Sequence, residues 1–143
     1  MKIKKALIAY QSRKGTTKYF GHNIGEYLKE KNIEPTVISV YDAANYNFQQ
    51  YDYILLGCWT HGLFIIFQHP DKEWVKFAKK LPDLKEKKVG LFATYKLATG
   101  SMFRNMEKPI ADKIDEVEIV LKAKGEELGK QHKAAIDEFI KAN

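Results

Sequence analysis

The chain has 143 residues, 45% of them hydrophobic and 29% charged, which is typical of a folded domain and excludes a disordered or fibrous chain. Its net charge is +6, but the lysines are scattered and no recognition helix or stacking motif indicates nucleic-acid binding. No apolar run approaches the ~20 residues of a membrane span, and the amino terminus lacks a signal peptide's cleavage site. A single cysteine, Cys58, cannot form an internal disulfide. We therefore expect one cytoplasmic domain over residues 1–143.

Five apolar runs have the length of strands, and they lie at residues 5–10, 36–40, 53–58, 89–95 and 117–123. Between most of them, apolar residues repeat every three or four positions, as at 19–28, 74–81 and 128–140, which predicts helices with one buried face. Continuously apolar strands that alternate with amphipathic helices indicate a parallel sheet covered on both sides. The predicted fold is α/β and doubly wound.

Several residues mark the ends of helices. Asp42 is predicted to cap a short helix after the second strand, and Pro70 and Asp71 are predicted to open the next helix. Ser101 is a candidate cap for a helix that starts near residue 102. Because proline cannot donate a helical hydrogen bond, Pro109 should kink or break that helix.

The stretch SRKGTT, residues 12–17, joins the first strand to an amphipathic helix. Free backbone N–H groups, the positive end of the helix dipole and three hydroxyl groups meet there, and Gly15 allows a close backbone approach. This combination favours a bound anion, although an ordinary capped turn with solvated cations would also use these residues. The patterns of the P-loop and of the dinucleotide-binding loop are both absent.

Three segments resemble one known family, the flavodoxins. SRKGTT resembles their phosphate loop, Ser/Thr-x-Thr-Gly-x-Thr, with Lys14 in place of a threonine. YDYILLGCWTHG, residues 51–62, resembles their third strand and first flavin loop, and KKVGLFATYKLATGSMFRNM, residues 87–106, resembles the fourth strand, second flavin loop and next helix of short-chain flavodoxins. The resemblance implies a five-stranded parallel sheet in the order 2-1-3-4-5, with flavin mononucleotide (FMN) where the strand order reverses.

The same resemblance implies the residues of the site. The phosphate would lie on Ser12, Arg13, Lys14, Gly15, Thr16 and Thr17. The flavin ring would lie between two loops that contribute Trp59, Thr60, His61, Gly62 and Leu63, and Thr94, Tyr95, Lys96, Leu97 and Gly100. Which of the side chains of Trp59, His61, Tyr95 and Leu97 contact the ring stays open, since each aromatic could also pack in the core. In flavodoxins a glycine at the place of Gly62 changes its peptide orientation and so stabilises the one-electron semiquinone.

Two departures from the family affect its expected properties. Flavodoxins usually place acids around the flavin, but this chain has Leu63 and Phe64 after Gly62 and no acid between Thr94 and Ser101, and it adds Lys14 and Lys96. We therefore expect a less strongly reducing flavin and acidic redox partners. The apolar segment from Leu63 to Phe67 is predicted to fold back as the start of the next helix and cover the flavin. Alternatively, it forms a contact surface for self-association, a partner or a quinone-bearing membrane.

The leading prediction is an FMN-binding flavoprotein that shuttles single electrons between redox proteins through a stabilised semiquinone, with no catalytic residue of its own and no metal. One alternative is a flavin-dependent quinone or porphyrinogen oxidoreductase, for which His61 is the only candidate acid or base near the flavin. A second alternative is an interaction module of the same fold without flavin.

Overall fold

The computed structural model describes residues 2–63 and 66–141, which form a six-stranded sheet. Its strands are β1 (Lys5–Gln11), β2 (Glu34–Ser39), β3 (Tyr53–Leu63), β4 (Ile66–Pro70), β5 (Lys88–Thr94) and β6 (Val117–Ala123). Five of them run parallel in the order β2-β1-β3-β5-β6, and β4 pairs antiparallel with β3. This confirms the predicted five-stranded parallel order, in which β5 and β6 are the predicted fourth and fifth strands. The additional strand β4 was not predicted.

The position of each strand in the sheet accounts for its sequence. β5 lies between two strands and is buried along nearly its whole length, which is why it is continuously apolar. β6 lies at the edge of the sheet, and it alternates buried residues with the exposed Glu118, Val120 and Lys122. Charged side chains on an edge strand oppose pairing with another chain.

Helices cover both faces of the sheet, as predicted, and their bounds are α1 (Thr16–Glu30), α2 (Lys72–Lys79), α3 (Met102–Glu107) and α4 (Lys130–Phe139). One core cluster holds Trp74 of α2 and Met102 of α3, and the other holds Phe20 of α1 and Ile136 of α4. Alternate residues of the buried strands contribute to the two clusters, because successive side chains point to opposite faces. Among the described residues, no helix combines the length and apolar character needed to span a membrane.

The helix caps agree with the sequence in part. Asp71 caps α2 as predicted, since its carboxylate accepts a hydrogen bond of 2.9 Å from the backbone N–H of Glu73. The prediction for Asp42 is wrong. Asp42 lies inside a short 3-10 helix, and the side chain of Ser39 accepts the capping bond from the N–H of Tyr41 at 3.3 Å. Ser39 precedes the first turn, where a side-chain oxygen can reach a free N–H group.

The third helix begins and ends close to its predicted limits. Ser101 occupies the position before α3, but its hydroxyl donates to the carbonyl of Gln68 at 3.0 Å instead of capping the helix. α3 ends at Glu107, and a 3-10 turn over Lys108–Ile110 contains Pro109. The predicted break at Pro109 is therefore confirmed.

The segment after Cys58 differs from its prediction, because it continues as a strand. β3 runs on to Leu63 and forms a hairpin with β4, in which His61 pairs with His69. The first flavin loop is thus a strand, and the predicted helix start at residues 63–67 is wrong, since α2 begins only at Lys72. β1 pairs with β3 only as far as Cys58, and β5 only as far as Trp59, so the next backbone groups of β3 need another partner, which β4 supplies. Phe64 and Ile65 lie outside the described residues, so self-association through this segment stays a prediction.

Candidate functional site

A cleft of about 560 Å³ lies at the carboxyl edge of the sheet, where β1 and β5 end and β3 continues into the hairpin. This volume is within the range of small-molecule sites, and doubly wound sheets bind their ligands at this edge. The cleft brings together many of the predicted site residues: Arg13, Lys14, Thr16, Thr17, Trp59, Thr60, His61, Thr94, Tyr95, Lys96 and Leu97.

Ser12, Gly15 and Gly100 are not among the described residues that line the cleft. Ser12 and Gly15 shape the loop after β1, and Gly100 lies in the turn before α3 with φ of 47°. Gly62 and Leu63 lie in β3, and the structure describes their strand but not their surroundings.

The loop from residue 12 to residue 17 presents the amino terminus of α1 to the cleft. Ser12 Oγ accepts a hydrogen bond of 3.0 Å from the N–H of Gly15, which closes the turn. Gly15 has φ of 101°, a conformation that L side chains rarely adopt, and a Cβ there would lie 3.3 Å from the ring of Tyr19. The first N–H groups of α1 have no intrahelical partner, and Thr16 and Thr17 both line the cleft. This arrangement of free N–H groups at a helix terminus is one that favours a bound anion.

A buried hydrogen bond joins this loop to the end of β5. The hydroxyl groups of Thr17 and Thr94 lie 2.6 Å apart, and either can donate. Thr17 is 1% exposed and Thr94 is 5% exposed, so water does not compete strongly for this bond. The bond fixes the first turn of α1 against the end of β5, and hence fixes the two sides of the cleft relative to each other.

One wall of the cleft is a column of stacked side chains. The guanidinium of Arg13 lies 5.2 Å from the centre of the Trp59 ring, within the range of a cation–π contact. The Trp59 ring lies 5.0 Å from that of His61, which stacks at 4.7 Å on His69 across the hairpin. His69 is held in turn by the backbone carbonyl of Pro70, 3.0 Å from its Nδ1. The hairpin therefore decides the position of Trp59 and His61.

Two polar atoms in the cleft residues lack a hydrogen-bond partner within the described part of the chain. They are Nε1 of Trp59 and Oγ1 of Thr60, and both are buried. A buried polar group without a partner costs about 1–3 kcal/mol. A ligand that offers an acceptor to Trp59 and a polar atom to Thr60 would remove that cost.

The cleft is strongly positive. Four basic residues line it, and none of its described lining residues is an acid. The nearby charge of Lys96 and a hydrogen bond with it, together with the charge of Arg13, lower the pKa of Lys14. Lys124 lies over the ring of Tyr95 at 5.9 Å. The site therefore favours an anionic ligand.

Cys58 directly precedes the cleft residue Trp59 in β3. Its side chain is fully buried, and burial raises the pKa of the thiol to about 12. Its Sγ donates to Oε1 of Gln11 at 3.5 Å. A thiol that stays protonated is a poor nucleophile.

Sequence reasoning missed three residues that line the cleft: Gln68, Ala98 and Lys124. Lys124 directly follows β6, so the rule that sites lie at the carboxyl ends of strands could have found it. Gln68 could not be found, because it lies in the unpredicted β4. Its carbonyl accepts bonds from Ser101 Oγ at 3.0 Å and Asn105 Nδ2 at 2.9 Å, which tie the hairpin to α3.

The family model described as a flavodoxin domain matches residues 7–140. The chain belongs to the flavodoxin family. Flavodoxin 2 from Bacillus cereus has 22% identity and a TM-score of 0.70, covering 94% of each chain. The Megasphaera elsdenii flavodoxin has 22% identity and a TM-score of 0.68, covering 94% of this chain and 96% of the other.

A further flavodoxin, from Fusobacterium nucleatum, was solved bound to FMN. It has 16% identity and a TM-score of 0.60, covering 80% of this chain and 69% of the other. At these identities, the three structures show that the flavodoxin fold is shared. At the level of the family, the match indicates FMN-binding flavoproteins of electron transfer.

Proposed function

We propose that this flavodoxin binds FMN in the cleft and passes single electrons between redox proteins through a stabilised semiquinone. The observation that carries the proposal is the cleft itself. It joins an anion-binding helix terminus, shaped by Gly15 at φ of 101°, to an aromatic wall that includes Trp59 and Tyr95.

The residues of the cleft fit both ends of the nucleotide. Arg13 and Lys14 would hold its phosphate by charge, and Thr16 and Thr17 would hold it by hydrogen bonds. The rings of Trp59 and Tyr95 offer apolar surface for a flat heterocycle. Trp59 Nε1 and Thr60 Oγ1 are unsatisfied, which is the condition expected of a wall that completes its hydrogen bonds with a ligand.

Bound FMN supplies the redox chemistry, and the protein supplies binding, orientation and electrostatics. Arg13 and His61 both contact the Trp59 ring and so help to fix its orientation. The Thr17–Thr94 bond holds the two sides of the cleft at a fixed separation. The positive charges of Lys14 and Lys96 stabilise added negative charge on a bound ligand. The reduced ligand would therefore be a weaker reductant.

The test is a spectroscopic titration of the purified protein. We expect FMN to bind with a perturbed visible spectrum and riboflavin, which lacks the phosphate, to bind at least about tenfold more weakly. Stepwise reduction should pass through a half-reduced species with its own absorbance. Failure to take up FMN would favour the flavin-free module, and direct two-electron turnover with a quinone would favour the oxidoreductase.

A further inference from the structure

The mouth of the cleft carries an uncompensated group of positive charges around one apolar side chain. We call the exposed residues Lys14, Lys96, Leu97 and Lys124 the cationic rim. The ion pairs among the described residues involve other lysines, so no described carboxylate pairs with these three.

Lys14 and Lys96 come from different loops, and both line the cleft. The nearby charge of Lys96 lowers the pKa of Lys14. Glu126 and Glu127 follow Lys124 in the chain, but neither lines the cleft. The carbonyl of Glu126 is instead bound by the side chain of Asn23 on α1, at 2.8 Å. The rim therefore lacks a counter-ion within the described chain.

The rim also includes one exposed apolar side chain. Leu97 is 61% exposed and directly follows Lys96. Protein interfaces combine an apolar centre with a charged or polar surround. The phosphate of a bound nucleotide would neutralise about two of the four positive charges of the cleft, and the loop of Arg13 and Lys14 lies nearest to it. Lys96, Leu97 and Lys124 lie on other loops, and all three are exposed in this structure.

We propose that the cationic rim is the docking surface for an acidic one-electron redox protein, whose carboxylates pair with Lys96 and Lys124 around Leu97. This rests on the proposed function, because the docked partner exchanges its electron with the bound flavin. One electron leaves the partner's metal centre and enters the flavin, or passes in the reverse direction, and no other group is consumed. The arrangement selects partners through their charge and raises the rate of encounter.

An acidic protein fits the rim better than an anionic membrane does. Membrane-binding basic segments usually gather about four to eight cations, and stable binding needs more buried apolar surface than one leucine offers. The rim has three lysines and one exposed leucine.

The experiment measures electron transfer into the FMN-loaded protein by stopped flow. The probe donor is a reduced plant-type [2Fe–2S] ferredoxin, an acidic protein with a potential near −400 mV. The opposite probe is cytochrome c, a basic protein, which accepts an electron from the reduced flavoprotein. Between roughly 20 and 300 mM salt, the ferredoxin rate should fall about tenfold or more, because screening weakens attraction. The cytochrome rate should stay constant or rise.

Charge-reversal variants then locate the docking surface. Lys96→Glu and Lys124→Glu should each lower the low-salt ferredoxin rate by roughly tenfold and flatten its salt dependence. The matched control is Lys85→Glu, which makes the same charge change at an exposed residue before the start of β5, at the opposite edge of the sheet. It should leave the rate within about twofold of wild type.

The outcomes separate this inference from the proposed function. Flavin loading is checked first by absorbance, and a protein that takes up no FMN overturns the proposed function. If the FMN-loaded protein accepts electrons from ferredoxin at a rate that does not depend on salt, the docking surface is refuted but the proposed function is not. The same conclusion follows if Lys85→Glu lowers that rate as much as Lys96→Glu does. Binding to phosphatidylglycerol vesicles that Lys96→Glu abolishes, with unchanged ferredoxin rates, would assign the rim to a membrane instead.

Discussion

Gly15 is the residue whose replacement tests the anion-binding loop most directly. Its φ of 101° lies well inside the left-handed region, and an added Cβ would come within 3.3 Å of the Tyr19 ring. An L residue forced into a left-handed conformation costs about 1–2 kcal/mol. The contact with Tyr19 adds little, because the end of that exposed ring can move by a few tenths of an ångström.

The strain in Gly15→Ala must appear either in folding or in binding. If the free protein keeps the loop conformation, the free energy of unfolding falls by the full 1–2 kcal/mol and FMN affinity is unchanged. If the loop relaxes in the free protein, stability is retained and FMN binds about 5–30-fold more weakly, since 1.4 kcal/mol is a factor of ten. The two losses should therefore sum to about 1–2 kcal/mol in either case.

Urea unfolding of the free protein and titration with FMN measure the two terms. The matched control is Gly125→Ala, because a Cβ at Gly125 would meet nothing within 4 Å. This control should be neutral or more stable by about 0.4–1 kcal/mol, through the lower entropy of its unfolded chain. A Gly15→Ala protein with wild-type stability and wild-type affinity would refute the reasoning about this loop.

Three other predictions concern different parts of the site. Thr17→Val and Thr94→Val should each lower the free energy of unfolding by about 1–3 kcal/mol, because each leaves the other buried hydroxyl unpaired. In a double-mutant cycle the double variant should lose less than the sum of the two single losses, and additive losses would show that the two hydroxyls do not interact. Burial raises the pKa of Cys58 to about 12. Above the ordinary thiol pKa of 9.0 the unfolded thiol therefore ionises while the folded one stays protonated, and the free energy of unfolding falls as pH rises. From pH 8 to pH 10, this should lower the free energy of unfolding by about 1.4 kcal/mol more in wild type than in Cys58→Ala, and equal losses would show that the thiol does not contribute. Ala98→Asp places a carboxylate in the cleft. At ~8 Å from the flavin and an effective dielectric of ~20, this carboxylate raises the energy of each negative charge on the flavin by about 2 kcal/mol. The second reduction potential should therefore fall by on the order of 90 mV in a potentiometric titration, and Ala98→Asn is the uncharged control.

Local sequence was sufficient wherever neighbouring residues alone decide the structure. The apolar runs identified all five parallel strands. The three interior strands, β1, β3 and β5, are the most continuously apolar, because a strand covered on both faces must be apolar throughout. Asp71 capped its helix as predicted, and Pro109 ended the α-helix before it, since both effects act within one turn. The hydroxyls, cations and glycine of residues 12–17 indicated an anion site from their order alone.

Other features depend on residues that are distant in the chain, and only the tertiary structure decided them. Thr60 to Leu63 extend as a strand because they pair with β4 after both parallel neighbours of β3 have ended, a fact absent from the local sequence. The Thr17–Thr94 bond links residues that are 77 positions apart in the chain. Lys14 and Lys96, whose charges repel each other, belong to two different loops. The sequence by itself therefore determined the elements and the chemical character of the first loop. Tertiary packing decided which side chains face one another across the cleft, because strand pairing and side-chain contact are properties of neighbours in space.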